Sequence, residues 1–134
     1  MNTILIIDDE KEICESLKMI LDYEGYQTDY SLLPSEGLNK IESTVFSALL
    51  LDIQMPEMNG FEVIKRVKEK YAQLPVIIIT AHGSIENAIK ATKLGAFDFI
   101  EKPIDRDKLL ISVRNAVDQY KLLLANEEMK RTIF

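Results

Sequence analysis

Three acidic residues in a row, Asp8, Asp9 and Glu10, follow a short apolar run near the start of the chain. Adjacent carboxylates repel one another unless a positive charge lies among them, and a hard divalent cation with oxygen ligands is the simplest way to supply that charge. The alternative is that these acids only favour the N-terminus of a following helix, where negative charge is stabilising. The acidic run alone therefore does not establish a metal site.

Three further residues that could take part in chemistry stand at the ends of later apolar runs: Asp52, Thr80 and Lys102. Each has an ordinary interpretation, as an aspartate that starts a turn, a β-branched strand residue and a solvated lysine. If the runs are parallel strands, however, their carboxyl ends meet at one edge of the sheet, beside Asp8 and Asp9. We expect all five side chains to lie together there.

Carboxylates, a hydroxyl and an ammonium group together suit phosphoryl transfer. In that reaction a carboxylate attacks phosphorus, and positive groups stabilise the charge on the phosphoryl oxygens. Asp52 is the predicted nucleophile, and it needs no general base because it is already ionised. Mg²⁺ is the predicted cofactor, since it prefers octahedral oxygen coordination with few protein ligands and requires neither histidine nor thiolate.

The elements that must position these residues follow from hydrophobic patterning. Apolar runs without alternation at residues 4–7, 48–51, 76–79 and 97–100 are typical of strands buried on both faces. Residues 27–31 predict a weaker strand at a sheet edge. Strand and helix patterns alternate five times, so the predicted fold is α/β: a doubly wound parallel sheet with helices on both faces.

Apolar residues at helical spacing separate the runs and predict amphipathic helices packed on the sheet. The predicted stripes are Ile13, Leu17, Ile20 and Leu21; Phe61, Ile64, Val67 and Tyr71; and Ile85, Ala88, Ile89 and Thr92. Gly25 and Gly95 stand where helices need a left-handed C-terminal residue, and Ser84 and Asp105 stand where helices need an N-cap.

Composition bounds the class of protein. The 134 residues suit one domain, and 22 acidic against 16 basic residues, a formal charge of −6, argue against nucleic acid as a direct partner. Cys14 is the only cysteine, which excludes an internal disulfide and suggests a partly buried thiol in a reducing cytoplasm. No apolar run is long enough for a signal peptide or a membrane span, so we expect a soluble, cytoplasmic protein.

Four motifs, in this order, carry a family resemblance: IIDDE, LLLDIQMPEMNG, IIITAHG and GAFDFIEKP. Over residues 2–120 the chain resembles the receiver domains of bacterial two-component response regulators. The resemblance implies a flavodoxin-like five-stranded sheet of order 2-1-3-4-5. It also implies a phosphoacceptor signalling domain, not an enzyme, that takes its phosphoryl group from a sensor histidine kinase and catalyses only its own phosphorylation and slow dephosphorylation.

The resemblance implies a metal-binding role for four residues. Asp52 would be the phosphoacceptor, and Asp9 and Asp52 would bind Mg²⁺ directly. Asp8 would act on the metal largely through water, and Gln54 would offer its backbone carbonyl.

A second set of matching residues would act on the phosphoryl group and report it. Lys102 would contact the group, Thr80 would turn toward it, and Phe99 would report the switch by its burial. The side chains two residues past Asp52 and Thr80 are Gln54 and His82. They flank the expected path of the hydrolytic water and would tune dephosphorylation, although His82 could instead be an exposed loop residue without a role.

The run TAHGSIENAIKATKLGAFDFIEKP most resembles receivers of the nitrogen-regulator (NtrC) type, which precede an ATPase domain. Residues 1–120 would then be the receiver, and residues 121–134 would begin a helical linker to ATPase and DNA-binding output domains. Residues spaced alternately by three and four predict a homodimer seam on the last helix: Leu110, Val113, Val117, Tyr120 and Leu124. Apolar residues also continue beyond it: Leu122, Leu123, Met129, Ile133 and Phe134. The alternative is a frayed tail.

Three other classes of protein share part of this pattern with receiver domains. An aspartyl-phosphate phosphatase or phosphotransferase commonly carries a second acid two positions after its nucleophile, where this chain has Gln54. A pseudo-receiver would keep the fold without phosphorylation, and the complete acceptor set argues against it. A flavin mononucleotide domain would need a phosphate-binding loop after the first strand, where the acids of this chain would repel phosphate.

Overall fold

The computed structural model describes residues 2–133, with side chains for residues 2–129. Ten elements alternate along the chain: β1 (Thr3–Ile7), α1 (Lys11–Tyr23), β2 (Gln27–Ser31), α2 (Pro34–Ser43), β3 (Ala48–Asp52), α3 (Gly60–Lys70), β4 (Val76–Thr80), α4 (Ile85–Lys93), β5 (Asp98–Glu101) and α5 (Arg106–Ile133). All strand pairs are parallel, and the sheet order is β2-β1-β3-β4-β5. The predicted doubly wound α/β fold and its strand order are confirmed.

Two hydrophobic cores form because successive strand residues point to opposite faces of the sheet. Ile4 and Ile6 of β1 pack on one face with α1 and α5, and Leu5 and Ile7 pack on the other with α2, α3 and α4. All four side chains are fully buried, and burial of each contributes roughly 1.5–3 kcal/mol. The continuous apolar runs are therefore explained by a sheet that is covered on both faces.

The predicted faces of α1 and α3 are confirmed, but the predicted face of α4 is wrong. Ile85 and Ile89 are 81% and 51% exposed, whereas Ala91 is fully buried. Ala91 lies two residues, or about 200°, around the helix from Ile89. Because α4 contacts the edge strand β5 and α3, only a narrow face is covered, and a small alanine permits that close contact. The prediction relied on hydrophobicity alone and therefore chose the isoleucines, which lie on the opposite, solvent-exposed side of the helix.

The predicted helix ends are confirmed. Gly25 and Gly95 follow α1 and α4 with φ angles of 95° and 98°, in the left-handed region that glycine tolerates. The Ser84 hydroxyl accepts a hydrogen bond from the Asn87 amide at 3.0 Å. Asp105 caps α5 by accepting from the Lys108 amide at 3.2 Å. Local sequence chemistry therefore determines where these helices begin and end.

The Cys14 thiol is fully buried, where the sequence predicted partial burial. Its Sγ donates to the Asp8 carbonyl at 3.4 Å, and burial raises the pKa of the thiol to about 12. The side chain therefore acts as a small apolar residue of the core beneath α1. Among the described helices, none has the length and hydrophobicity to cross a membrane.

Candidate metal centre at the carboxyl edge of the sheet

Strand register brings the predicted site residues to one edge. Asp52 ends β3, and Thr80 ends β4. Asp8 directly follows β1, and Lys102 directly follows β5. The paired strands end at the same level, since Ile7 lies opposite Leu51 and Thr80 lies opposite Glu101. Parallel strands in this register therefore deliver their terminal side chains to the same place.

Four carboxylates converge there. Asp8, Asp9, Glu10 and Asp52 each offer an oxygen, and these oxygens lie within 4.8 Å of one another. Asp8 and Asp52 are buried, whereas Asp9 and Glu10 are exposed at the mouth of the site. The site therefore has a buried floor of two aspartates and an open acidic rim.

The two buried aspartates are held in the same way. Asp8 Oδ1 accepts from the Glu10 amide at 2.9 Å, and Asp52 Oδ1 accepts from the Gln54 amide at 3.1 Å. Each carboxylate thus accepts a hydrogen bond from the backbone amide two residues later in the chain, as aspartates do at turns. In each case Oδ1 is bound by the backbone, and Oδ2 faces the centre of the cluster, next to Lys102.

Lys102 supplies positive charge to the cluster. Its Nζ lies 2.8 Å from Asp8 Oδ2, 3.3 Å from Asp52 Oδ2 and 3.4 Å from Glu10 Oε1. Burial lowers the pKa of Lys102, but hydrogen bonding and charge from Asp8 and Asp52 outweigh it, and the net pKa is raised. The ammonium therefore stays protonated. The Lys102–Pro103 peptide bond is cis.

The donor set fits a divalent cation. Four carboxylates against one ammonium leave three uncompensated negative charges. Asp8 Oδ2 is buried without a hydrogen bond of normal geometry, although it is ion-paired with Lys102. Burial raises the pKa of Asp8, and the negative charge of Asp52 adds to the effect. An all-oxygen cluster with excess negative charge is the environment that Mg²⁺ prefers.

Thr80 and Phe99 lie behind the acidic cluster. Thr80 is fully buried, and its Oγ1 accepts from the His82 amide at 3.0 Å. The Thr80 carbonyl accepts from the Lys102 amide at 2.7 Å, which joins the ends of β4 and β5. Phe99 lies opposite Ile78 in register and is half-buried against the core on the α3 and α4 face. Thr80 is therefore hydrogen-bonded through the backbone to Lys102, which directly follows the strand that carries Phe99.

Gln54 and His82 are exposed on the loops that immediately follow the site. The Gln54 amide is bonded to Asp52. The His82 carbonyl accepts from the Asn87 side chain at 3.0 Å. Their side chains are thus open to water beside the site, at the loop positions that the sequence predicted.

Three residues near this edge were not among the predicted site residues. Glu10 belongs to the carboxylate cluster, and it could have been found as the third acid of the run. A Cβ on Gly60 would lie 2.6 Å from the Asp52 carbonyl oxygen, so only glycine fits there. Glu57 has a φ of 62° and binds Ser35 of α2. No sequence pattern connects Glu57 with Ser35.

One cavity in the described part of the chain is far from this site. It has a volume of about 510 Å³ and lies between the α2–β3 loop, the α3–β4 loop and α5. These loops precede β3 and β4, so the cavity is at the opposite edge of the sheet. Gln73 and Glu127 are hydrogen-bonded beside it. The residues that line this cavity do not include Asp52 or the other acids of the cluster.

A family model described as "Response regulator receiver domain" matches residues 4–114. The chain is 38% identical over 132 residues to a putative NtrX-like response regulator of Rickettsia bellii, covering 97% of this chain and 28% of that protein. The beryllofluoride-activated NtrC4 receiver domain dimer matches with a TM-score of 0.86 and 38% identity, over 90% of this chain and 99% of that one. NtrX from Brucella abortus, solved with ADP, matches with a TM-score of 0.89 and 32% identity, over 96% of this chain and 30% of that one.

Proposed function

This chain belongs to the family of response regulator receiver domains, the signalling domains of two-component systems, and we propose that it accepts a phosphoryl group on Asp52 from a sensor histidine kinase. The observation that carries the proposal is the position of Lys102. Its ammonium lies between the two buried aspartates, at 2.8 Å from Asp8 and 3.3 Å from Asp52. One cation is thus already in place to contact a phosphoryl group on Asp52.

The Asp52 carboxylate would attack phosphorus through Oδ2, because Oδ1 is bound to the Gln54 amide. A P–O bond to Asp52 forms as the bond to the donor breaks, and the donor leaves with its electron pair. Lys102 would move from the carboxylate to a phosphoryl oxygen. Asp8, Asp9, Asp52 and the Gln54 carbonyl would hold Mg²⁺, which when bound neutralises charge on the phosphoryl oxygens.

Mass spectrometry of the chain after incubation with a small phosphodonor tests the proposal. With Mg²⁺ present, we expect the mass of one phosphoryl group to be added per chain. With a chelator in place of Mg²⁺, we expect no addition, because the three excess negative charges of the site would then repel the donor. Labelling that is absent with Mg²⁺, or equal without it, would show that the site does not perform this reaction.

The output of the switch is proposed to be transcriptional. The chain spans 28% of the length of its NtrX-like relatives, so the remaining parts of a protein of that kind would lie outside it. We infer that phosphorylation controls a downstream ATPase and DNA-binding region joined through residues 121–134. A cytoplasmic location, and the lack of direct nucleic-acid and membrane binding by this domain, remain predictions.

Gln54 and His82 are expected to set the lifetime of the phosphoryl group. Both side chains are exposed beside Asp52 and Thr80, where a hydrolytic water must approach. Replacing either residue with alanine should leave phosphorylation intact and change the dephosphorylation rate by about two- to tenfold, up to ~1.4 kcal/mol in the barrier. Decay of phosphorylated protein followed by mass spectrometry measures this. Glu69→Gln, exposed on α3, is the control, and unchanged decay in both variants would refute the assignment.

Thr80 and Phe99 are expected to couple the site to the face formed by α4, β5 and α5. Phosphorylation should draw the Thr80 hydroxyl away from the His82 amide and leave space that the half-buried Phe99 ring can enter. Fluorine NMR of labelled phenylalanine, with and without beryllofluoride, would detect the move. Thr80→Ala should bind the analogue without the Phe99 response. An unchanged Phe99 signal in the parent would contradict the coupling.

Part of the homodimer seam predicted on α5 belongs to the core of the domain, which the sequence left open because the same stripe must also cover the sheet. Val113 and Val117 are buried in the core of the domain and cannot contact a partner. Beyond Tyr120 the helix continues, with Leu122 67% and Met129 63% exposed. The side chains of Ile133 and Phe134 lie outside the described residues. A relative, the activated NtrC4 receiver, is described as a dimer.

We therefore expect association through residues 121–134 alone. A lone helix that exposes these apolar residues is marginal in water, and a partner helix would cover them. Sedimentation of the whole chain should show a dimer at micromolar concentration, whereas a chain ending at Tyr120 should be monomeric. If both sediment as monomers, the tail is a severed linker and the dimer proposal fails.

A further inference from the structure

The loop between β3 and α3 contains a tight turn with a strained residue at its centre. The Met58 amide donates to the Pro56 carbonyl at 2.5 Å, which closes a three-residue turn around Glu57. Glu57 has a φ of 62°, the only positive φ at a non-glycine residue in the described chain. Left-handed backbone is unfavourable for a residue with a Cβ and persists only where other contacts hold it.

The contacts that hold Glu57 come from α2. Its Oε1 accepts from the Ser35 amide at 2.8 Å, and its Oε2 accepts from the Ser35 hydroxyl at 3.1 Å. The helix lacks a cap of its own, because Leu33 at the N-cap position makes no side-chain hydrogen bond and Pro34 has no amide hydrogen. Glu57 therefore caps α2 from another loop, with its negative charge at the positive end of the helix.

The capped turn of α2 also lies against the strand that leads to Asp8. A Cβ on Gly37 would lie 2.3 Å from Ile7 Cδ1, so the helix packs directly on the last residue of β1. At its other end, the Glu57 loop follows Asp52, and the Gly60 amide closes it by donating to the Ile53 carbonyl at 3.0 Å. The Glu57–Ser35 contact thus ties together the two strand ends that carry the buried aspartates.

We propose that Glu57 is a positioning residue for the Asp52 site. Its bonds to Ser35 hold the β3–α3 loop in the strained turn, and this conformation places the backbone at Gln54 for the metal and for Asp52. The inference rests on the proposed function of that site. Because coupling between two sites is reciprocal, occupation of the metal site must in turn stabilise the contact between Glu57 and α2.

Three substitutions at position 57 distinguish the effect of the carboxylate from the effect of the backbone conformation. Glu57→Ala removes the cap and keeps a Cβ at positive φ, whereas Glu57→Gly removes the cap and relieves the strain. Glu57→Ala should weaken Mg²⁺ binding, measured by calorimetry, by about fivefold or more, and Glu57→Gly should weaken it less, because glycine adopts the turn without strain. Glu57→Gln retains an acceptor for Ser35 and should stay near the parent. Glu36→Ala, at the same helix N-terminus but paired with Lys40, is the matched control and should bind Mg²⁺ like the parent.

Hydrogen exchange of the Ser35 amide supplies a readout that does not depend on activity. In the parent chain, Mg²⁺ alone should slow this exchange, and in Glu57→Gly it should have no effect. If the parent binds Mg²⁺ but Glu57→Ala binds it equally well and Mg²⁺ does not change Ser35 exchange in the parent, the inference is wrong and the proposed function stands. A parent chain that neither binds Mg²⁺ nor takes up a phosphoryl group overturns both.

Discussion

Replacing Asp52 with asparagine is expected to abolish phosphoryl uptake and to leave the domain folded. An amide is not a nucleophile toward phosphorus under these conditions, so labelling should fall at least about a hundredfold, ~2.7 kcal/mol or more in the barrier. The side chains have the same shape, and an asparagine oxygen can still accept from the Gln54 amide as Asp52 does at 3.1 Å. Mass spectrometry over a time course with Mg²⁺ and a small phosphodonor measures the loss.

Thermal unfolding of the same variant checks that the loss is chemical. Asp52 repels Asp8, and its charge contributes to the raised pKa of that neighbour. Removing the charge should therefore leave the melting temperature unchanged or raise it in the absence of metal. Asp22→Asn, an exposed aspartate paired with Lys18 at 3.0 Å on α1, is the control and should label like the parent. Full labelling of Asp52→Asn would mean that another residue is the phosphoacceptor.

Replacing Gly60 with alanine is expected to cause the largest loss of stability. The added Cβ would lie 2.6 Å from both the Asp52 carbonyl oxygen and the Ile53 Cα, which are backbone atoms that cannot rotate away. Overpacking against fixed atoms costs about 3 kcal/mol, a large part of the 5–15 kcal/mol that typically stabilises a domain. Urea unfolding would measure the loss, and the displaced β3 end should slow phosphorylation of any folded protein.

Gly83→Ala is the matched control for that substitution. The nearest atoms to its Cβ would be those of the Glu101 side chain, at 2.3 Å from Cδ, and an exposed, flexible glutamate can move aside. We expect a change below about 1 kcal/mol in the free energy of unfolding. Equal stability of the two alanine variants would mean that the β3–α3 loop can relax around Gly60, and that its close packing is not required.

The sequence predicted the sheet because its central strands are buried on both faces, which leaves unbroken apolar runs such as residues 48–51. It predicted Asp52 and Lys102 as neighbours for the same reason, since the carboxyl ends of parallel strands must meet. It misjudged α4, where Ala91 is buried and Ile89 is exposed, because burial there depends on how closely the helix approaches an edge strand. Periodicity carries no information about that distance.

The contact between Glu57 and Ser35 was beyond sequence reasoning for a different reason. The two residues are 22 positions apart, one in the β3–α3 loop and the other at the start of α2, and neither belongs to a periodic pattern. Their contact depends on a left-handed backbone at Glu57, a conformation usually taken by glycine or asparagine. Glu10 differs, because its position in the acidic run was visible, and only the strand-end geometry showed that it joins the cluster.

The length of α5 would amplify a small tilt of the helix into a larger displacement of its far end. The helix begins four residues after Lys102, at the edge that holds the carboxylates, and runs past the opposite edge, where Glu127 contacts Gln73. Its 28 residues span about 42 Å at 1.5 Å per residue. A tilt of about 5° at its first turn would therefore displace its far end by roughly 4 Å, a distance comparable to one helical turn. A small rearrangement around Asp52 that tilts α5 would thus produce a larger displacement at the far end of the helix.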